Sequence, residues 1–142
     1  MQRAIRDDSD GPEGPARTFL VVDDMPIVRA VARAYLEEVG FSVVEAGDGV
    51  AALACCGTAM PDAILLDREM PHMDGERFLA ALRLRPGGVE PTVLLCTSSR
   101  LANPESHARG VGADGFVDKP FDRAHLMSKL RHAGLLAGER GA

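Results

Sequence analysis

The 142 residues predict one α/β domain, a parallel sheet covered by helices on both faces. Three observations carry this. Short β-rich apolar runs alternate with helical patterns about five times along the chain. Runs such as Phe19-Leu20-Val21-Val22 and Ala63-Ile64-Leu65-Leu66 are continuously apolar, as in strands buried on both sides. Polar residues recur at the same end of successive runs, as expected if right-handed crossovers bring every strand's C-terminus to one edge.

The first run, Thr18 to Val22, stops at Asp23-Asp24. Pro26 then opens a helix with Ile27, Val31 and Tyr35 on one face, Val28, Ala32, Leu36 and Val39 beside it, and Gly40 as its stop. Phe41 to Glu45 is a second strand, Gly47-Asp48-Gly49 a turn, and Val50 to Cys56 a short helix. Asp62 to Leu66 is a third strand, ended by Asp67. After the loop Met70-Pro71-His72-Met73-Asp74-Gly75, Glu76 to Leu84 is a helix with Phe78, Leu79 and Leu82 inward. Pro91 to Cys96 is a fourth strand, ended by Thr97-Ser98. Asn103 can cap a fourth helix with Pro104 at its first position, kept short by Gly110 and Gly112. Gly115 to Asp118 is a short fifth strand before Lys119-Pro120. The last helix spans about Asp122 to Leu136, with Leu126, Leu130 and Ala133 facing the core.

The Gly- and Pro-containing residues 1–17 predict a disordered arm, 18–137 the folded domain and 138–142 a frayed tail. A net charge of -5 argues against a free-standing nucleic-acid binder. No apolar run approaches the roughly 20 residues that cross a bilayer, and the N-terminus lacks the apolar segment of a signal peptide. Cys55, Cys56 and Cys96 fit neither a disulfide framework nor a zinc site, and read as small apolar side chains in a reducing compartment, by default the cytoplasm. His72, His107, His125 and His132 make no spaced metal motif and are expected to face solvent or a partner. Met70 and Met73 read as loop packing, and Arg77, Arg83 and Arg85 as a solvated helix face.

Five apolar runs thus deliver Asp23, Asp24, Asp67, Thr97, Ser98 and Lys119 to one edge, where open α/β sheets bind ligands. Two carboxylates 4 Å apart repel by about 4 kcal/mol at an effective dielectric of 20. A hard divalent cation relieves that repulsion; Mg²⁺ takes oxygen ligands and commonly binds through one or two carboxylates and a phosphate. The arrangement suits phosphate chemistry, with one carboxylate attacking phosphorus to give an acyl phosphate. Lys119 can neutralise the added charge, and Thr97 can hydrogen-bond a phosphoryl oxygen.

In four segments the chain resembles the receiver domains of bacterial two-component response regulators, and the single-domain chemotaxis type in particular. They are Val21-Val22-Asp23-Asp24, Leu65 through Gly75, Leu95-Cys96-Thr97-Ser98 and Gly112 through Phe121. The resemblance implies a flavodoxin-like (βα)5 doubly wound sheet in the order 2-1-3-4-5. It implies Asp67 as phosphoacceptor, and Mg²⁺ held by Asp24, by Asp23 mainly through water, by Asp67 and by the backbone carbonyl of Glu69. Thr97 is then the phosphoryl-sensing hydroxyl, Lys119 its counter-ion with a cis bond to Pro120, and Phe116 the switch aromatic.

A histidine kinase or histidine phosphotransfer protein is the implied donor. The implied product is a switch that assists its own phosphorylation and dephosphorylation, not an enzyme. No DNA-binding or catalytic segment follows Leu136, so output is expected through a protein partner at the surface of helix four, strand five and helix five, with the protein a monomer or weak dimer. A phosphate sink or shuttle in a phosphorelay is the close alternative. A metal-dependent phosphohydrolase of the haloacid-dehalogenase kind would carry a second Asp two residues after the nucleophile; here that residue is Glu69. Glu69 and Ser99, each two residues beyond a site residue, are expected to set the phosphoryl lifetime.

Overall fold

Ten elements follow one another in the computed structural model, which describes residues 17–98 and 101–137. They are β1 (Thr18–Val22), α1 (Pro26–Glu38), β2 (Ser42–Ala46), α2 (Gly49–Thr58), β3 (Ala63–Asp67), α3 (Gly75–Arg83), β4 (Thr92–Thr97), α4 (Pro104–Gly110), β5 (Gly115–Asp118) and α5 (Arg123–His132). The strands form one parallel sheet in the order β2-β1-β3-β4-β5, as the resemblance implied. The expected arm and tail lie outside the described residues apart from Arg17, and Ser99 lies outside them too.

The two-residue period of the strands divides the core into two layers. Phe19 and Val21 of β1 face α1 and α5, joining Ala32, Leu36, Leu126 and Leu130. Leu20 and Val22 face the other way, joining Ala52, Phe78, Leu79, Leu82 and Ala108 of α2, α3 and α4. The register sets Val22 between Ala46 and Leu66, so β1 and β3 end level with each other beneath Asp23 and Asp67. Between β1 and β3 the chain's winding changes sides, which opens the crevice at the carboxyl ends.

Local chemistry sets the element ends. The carboxylates of Asp48, Asp74 and Asp122 accept from the backbone N–H of Ala51, Arg77 and His125, capping α2, α3 and α5. Asn103 sits at the N-cap position of α4 without a side-chain bond. Three helices end on a glycine in the left-handed region, followed by a buried apolar residue: Gly40-Phe41, Gly112-Ala113 and Gly134-Leu135. In the last, the N–H of Leu135 reaches Leu130 O at 2.8 Å and that of Gly134 reaches Arg131 O at 3.1 Å. This motif ends α5 at His132 rather than at the expected Leu136, and turns Leu135 back into the core.

Tertiary contacts revise three further expectations. Arg17 belongs to the fold: its carbonyl accepts from Ser42 N at 2.9 Å and its guanidinium donates to Leu135 O at 2.6 Å. Ile27 is 65% exposed, because the first turn of α1 overhangs a depression rather than the core. Arg83 is no solvated side chain. It donates to the carbonyls of Gly88 (2.9 Å), Pro91 (2.9 Å) and Gly112 (2.8 Å) and to Asp114 (3.3 Å), tying α3 to the turns before β4 and β5. Arg83→Ala strands those carbonyls and is expected to cost about 2 kcal/mol in urea unfolding, whereas Arg77→Ala on the exposed face stays within about 0.5 kcal/mol.

Candidate functional site

The sheet edge gathers the polar residues that the strand ends carry. One oxygen from each of Asp23, Asp24 and Asp67 lies within 4.8 Å of the others. Asp23 and Asp67 are 3% and 2% exposed, whereas Asp24 faces solvent. Lys119 reaches across from the end of β5, placing Nζ 3.1 Å from Asp23 Oδ2 and 3.3 Å from Asp67 Oδ1. Its bond to Pro120 is cis.

Backbone groups fix the two buried acids. Asp23 Oδ1 accepts from Met25 N at 2.9 Å, and Asp67 Oδ1 accepts from Glu69 N at 3.2 Å. Arg29 donates to the Asp23 carbonyl at 2.7 Å and pairs with Glu45, bracing the turn from behind. The chain beyond Asp67 can double back only because residue 75 is glycine: a Cβ there would lie 2.2 Å from the Asp67 carbonyl oxygen. Gly75 N instead donates to Arg68 O at 3.0 Å, starting α3 against the site.

Burial pushes the Asp67 carboxyl up to about 7, and the neighbouring Asp23 adds to the rise against the pull of Lys119. Burial alone would lower Lys119, but the Asp23 hydrogen bond and the two carboxylates raise it, so it stays an ammonium. Burial also raises the Cys96 thiol, keeping it neutral beneath the pocket. Cys56 is likewise buried and Cys55 half-buried, all three free thiols.

Thr97 is 2% exposed and donates to Glu69 Oε2 at 2.8 Å. The same oxygen takes Arg68 Nη1 at 3.0 Å. Arg68 Nε pairs with Glu76 Oε2 at 2.7 Å, and His107 Nε2 of α4 meets that oxygen at 2.6 Å. Burial would raise Glu76, yet hydrogen bonds from His107 and Arg68 outweigh it and lower its pKa. His107, expected to face solvent or a partner, is half-buried against Glu76. Sequence reasoning assigned no site role to Arg68, Glu76 or Gly75. Arg68 and Glu76 carried one signal, charged residues close after Asp67 and at the start of a helix, but nothing local pairs them.

Phe116 is half-buried at the α4–β5–α5 side of the edge, with Lys129 Nζ 4.1 Å from its ring centroid. Met70 and Met73 pack against the core as expected. Ser98 is exposed beside Lys119.

This is a doubly wound α/β protein with an acidic pocket at the topological switch point, where such sheets bind ligands. Residues 19–131 match the family model of the response regulator receiver domain. The chain is 33% identical over 119 residues to the probable transcriptional regulatory protein TcrX of Mycobacterium tuberculosis, covering 84% of this chain and 50% of the relative. It is 36% identical over 113 residues to the response regulator MprA of Mycobacterium avium, covering 80% and 49%. The chain therefore spans about half the length of these curated relatives. Among solved structures it resembles the chemotaxis protein CheY4 of Vibrio cholerae, with TM-score 0.77, 30% identity and coverage of 83% and 98%. A putative response regulator from Chloroflexus aurantiacus aligns with TM-score 0.75 and 25% identity over 83% and 97%. The chain belongs to the response regulator receiver domain family. Such receivers generally bind Mg²⁺ at an acidic pocket and interact with histidine kinases and downstream targets. The all-oxygen donor set fits that cation. Among the described residues no helix is long and apolar enough to cross a membrane.

An acid whose folded pKa is raised from 3.8 to about 7 contributes stability that is fully present below pH 4 and is lost as the pH rises through 7. In a divalent-free buffer, Asp67→Asn is therefore expected to stabilise the protein at pH 8 by the order of 2–4 kcal/mol. The gain should vanish by pH 3.5 to 4, and saturating Mg²⁺ should raise the melting temperature of the wild type more than that of the variant.

Proposed function

We propose that the protein is a stand-alone receiver that takes a phosphoryl group on Asp67 and changes its binding to a partner protein. The observation that carries this is the buried pair Asp23 and Asp67 sharing one ammonium at the crevice, with Asp24 at its mouth. Asp23, Asp24, Asp67 and the Glu69 carbonyl would hold Mg²⁺, which supplies positive charge to the phosphoryl oxygens when bound.

In the transfer, Asp67 Oδ2 attacks phosphorus in line with the donor nitrogen of a phosphohistidine. The O–P bond forms as the N–P bond breaks, and the electron pair returns to the imidazole. The hydrogen bonds from Glu69 N and Lys119 both arrive at Asp67 Oδ1, which holds the carboxylate in a fixed orientation for that attack. Lys119 stays with the added charge and Thr97 donates to a phosphoryl oxygen. The protein acts on no separate substrate; it assists only its own phosphorylation and hydrolysis.

The donor is a histidine kinase or histidine phosphotransfer protein. A mainly apolar depression of about 440 Å³, lined by Met25, Ile27, Val28, Val31, Pro120 and Phe121, opens beside Lys119 and suits an apolar helical face of such a donor. Output goes through the surface of α4, β5 and α5, where the half-buried Phe116 ring moves inward when Thr97 is drawn toward the phosphoryl group. Coupling of this kind is usually worth about 1–3 kcal/mol. The protein works in the cytoplasm as a monomer or weak dimer. A sink or shuttle in a phosphorelay would use the same site with transfer as its whole role.

Incubation with acetyl phosphate and Mg²⁺ is expected to add one phosphoryl group, read by intact mass. Asp67→Asn or EDTA should abolish it, and Lys119→Ala should lower its yield. A partner pull-down with the beryllofluoride complex separates switch from sink: a sink gains no partner beyond its donor. Labelling that persists in Asp67→Asn would overturn the assignment.

A further inference from the structure

The Glu69 side chain is aimed at the residue on which the proposed phosphoryl response depends. Its Oε2 accepts the Thr97 hydroxyl at 2.8 Å. It is itself held by Arg68 at 3.0 Å, and Arg68 is held by Glu76 at 2.7 Å. A threonine hydroxyl has a single proton and donates a single hydrogen bond. Thr97 is buried and sits at the end of β4, which pairs with β3 beside Asp67. It therefore cannot serve Glu69 and a phosphoryl oxygen on Asp67 at once.

From this exclusion we infer that Glu69 is a positioning residue that holds the Thr97 proton as an anionic placeholder for the phosphoryl group. The inference rests on Asp67 being the phosphoacceptor. Before phosphorylation the hydroxyl is committed to the Glu69 carboxylate, and Arg68 keeps that carboxylate in place. On phosphorylation the proton must be surrendered to the phosphoryl oxygen, while Glu69 keeps its pairing with Arg68. The bond thus opposes the phosphorylated state by an amount that the Glu69 side chain sets. Apart from any effect of Glu69 on the phosphoryl lifetime, removing its carboxylate shifts the equilibrium toward the phosphorylated form.

A simple field effect of one negative charge near the pocket would favour it too, and a double-mutant cycle separates the two. Beryllofluoride affinity in Mg²⁺ is measured by calorimetry on the full chain as wild type, Glu69→Ala, Thr97→Ala and the double variant. Glu69→Ala is expected to tighten binding about tenfold while Thr97 is present, the factor a charge-assisted hydrogen bond is worth. In the Thr97→Ala background the same change should move affinity by no more than about twofold. Glu69→Gln keeps an acceptor oxygen without the charge, and should retain the wild-type position of the Thr97 methyl resonance, which Glu69→Ala shifts. An equal gain in both backgrounds, or no gain in either, overturns the placeholder role and leaves the phosphoacceptor reading intact. A wild type that binds no beryllofluoride and takes no phosphoryl group from acetyl phosphate overturns both.

Discussion

Two carboxylates nearly sealed from water and sharing one ammonium form the constraint around which the rest is arranged. A buried carboxylate is tolerated only with a partner or with its proton. Asp23 has Lys119 and the Met25 amide; Asp67 has a weaker share of the same lysine, and burial beside Asp23 pushes its carboxyl up. A hard cation at the crevice would relieve the repulsion between them. Asymmetry between the acids follows from position. Asp23 lies in the turn after β1, whereas Asp67 is the last residue of β3, flanked by β1 and β4.

Holding such an arrangement takes a stiff base. The sheet supplies it, because β1, β3 and β4 are buried on both faces and their register sets Asp23 beside Asp67 with Thr97 one residue further along β4. Polar staples replace packing where the apolar layers stop. Arg29 braces the β1–α1 turn, and Arg83 gathers the carbonyls of two turns at the opposite end of the sheet. The requirement for glycine at residue 75 is the backbone counterpart, since the chain leaving β3 passes within contact of Asp67's own carbonyl.

What the sequence disclosed, and what it hid, follows from the range of the forces involved. Apolar runs ending in Asp, Thr and Lys are local signals, and topology carries them to a common edge, so the pocket is legible in the chain alone. Helix ends governed by backbone geometry are legible at Gly40, where a glycine closes an apolar pattern. The end of α5 is not. Ala133, Leu135 and Leu136 extend the apolar composition of that helix past its last turn, and they mask Gly134, whose left-handed backbone folds Leu135 back onto Leu130. Long-range pairing is illegible in principle. Arg83 and His107 look like any polar helix residue until Gly112 and Glu76 come within reach. Ile27 fits the apolar stripe of α1, yet it lines the open depression beside Lys119 instead of the core.

From Thr97 a chain of polar contacts runs through Glu69, Arg68 and Glu76 to His107 on α4. Contiguity alone does not make a signal path; an element with two arrangements does. Here the element is one proton with two mutually exclusive acceptors. Its transfer of allegiance would take one hydrogen bond away from Glu69 Oε2, an oxygen that Arg68 also holds at 3.0 Å. Arg68 also grips the carboxylate that His107 touches, which joins the pocket rim to α4. A phosphoryl group adds about -1.5 to -2 charges at pH 7. That charge acts on a rim made of hydrogen bonds, each worth about 1 kcal/mol net, and on a core whose side chains are fully packed. A phosphoryl group on Asp67 would act first on that rim, and the half-buried Phe116, packed against the core at the α4–β5–α5 surface, is the side chain proposed to follow.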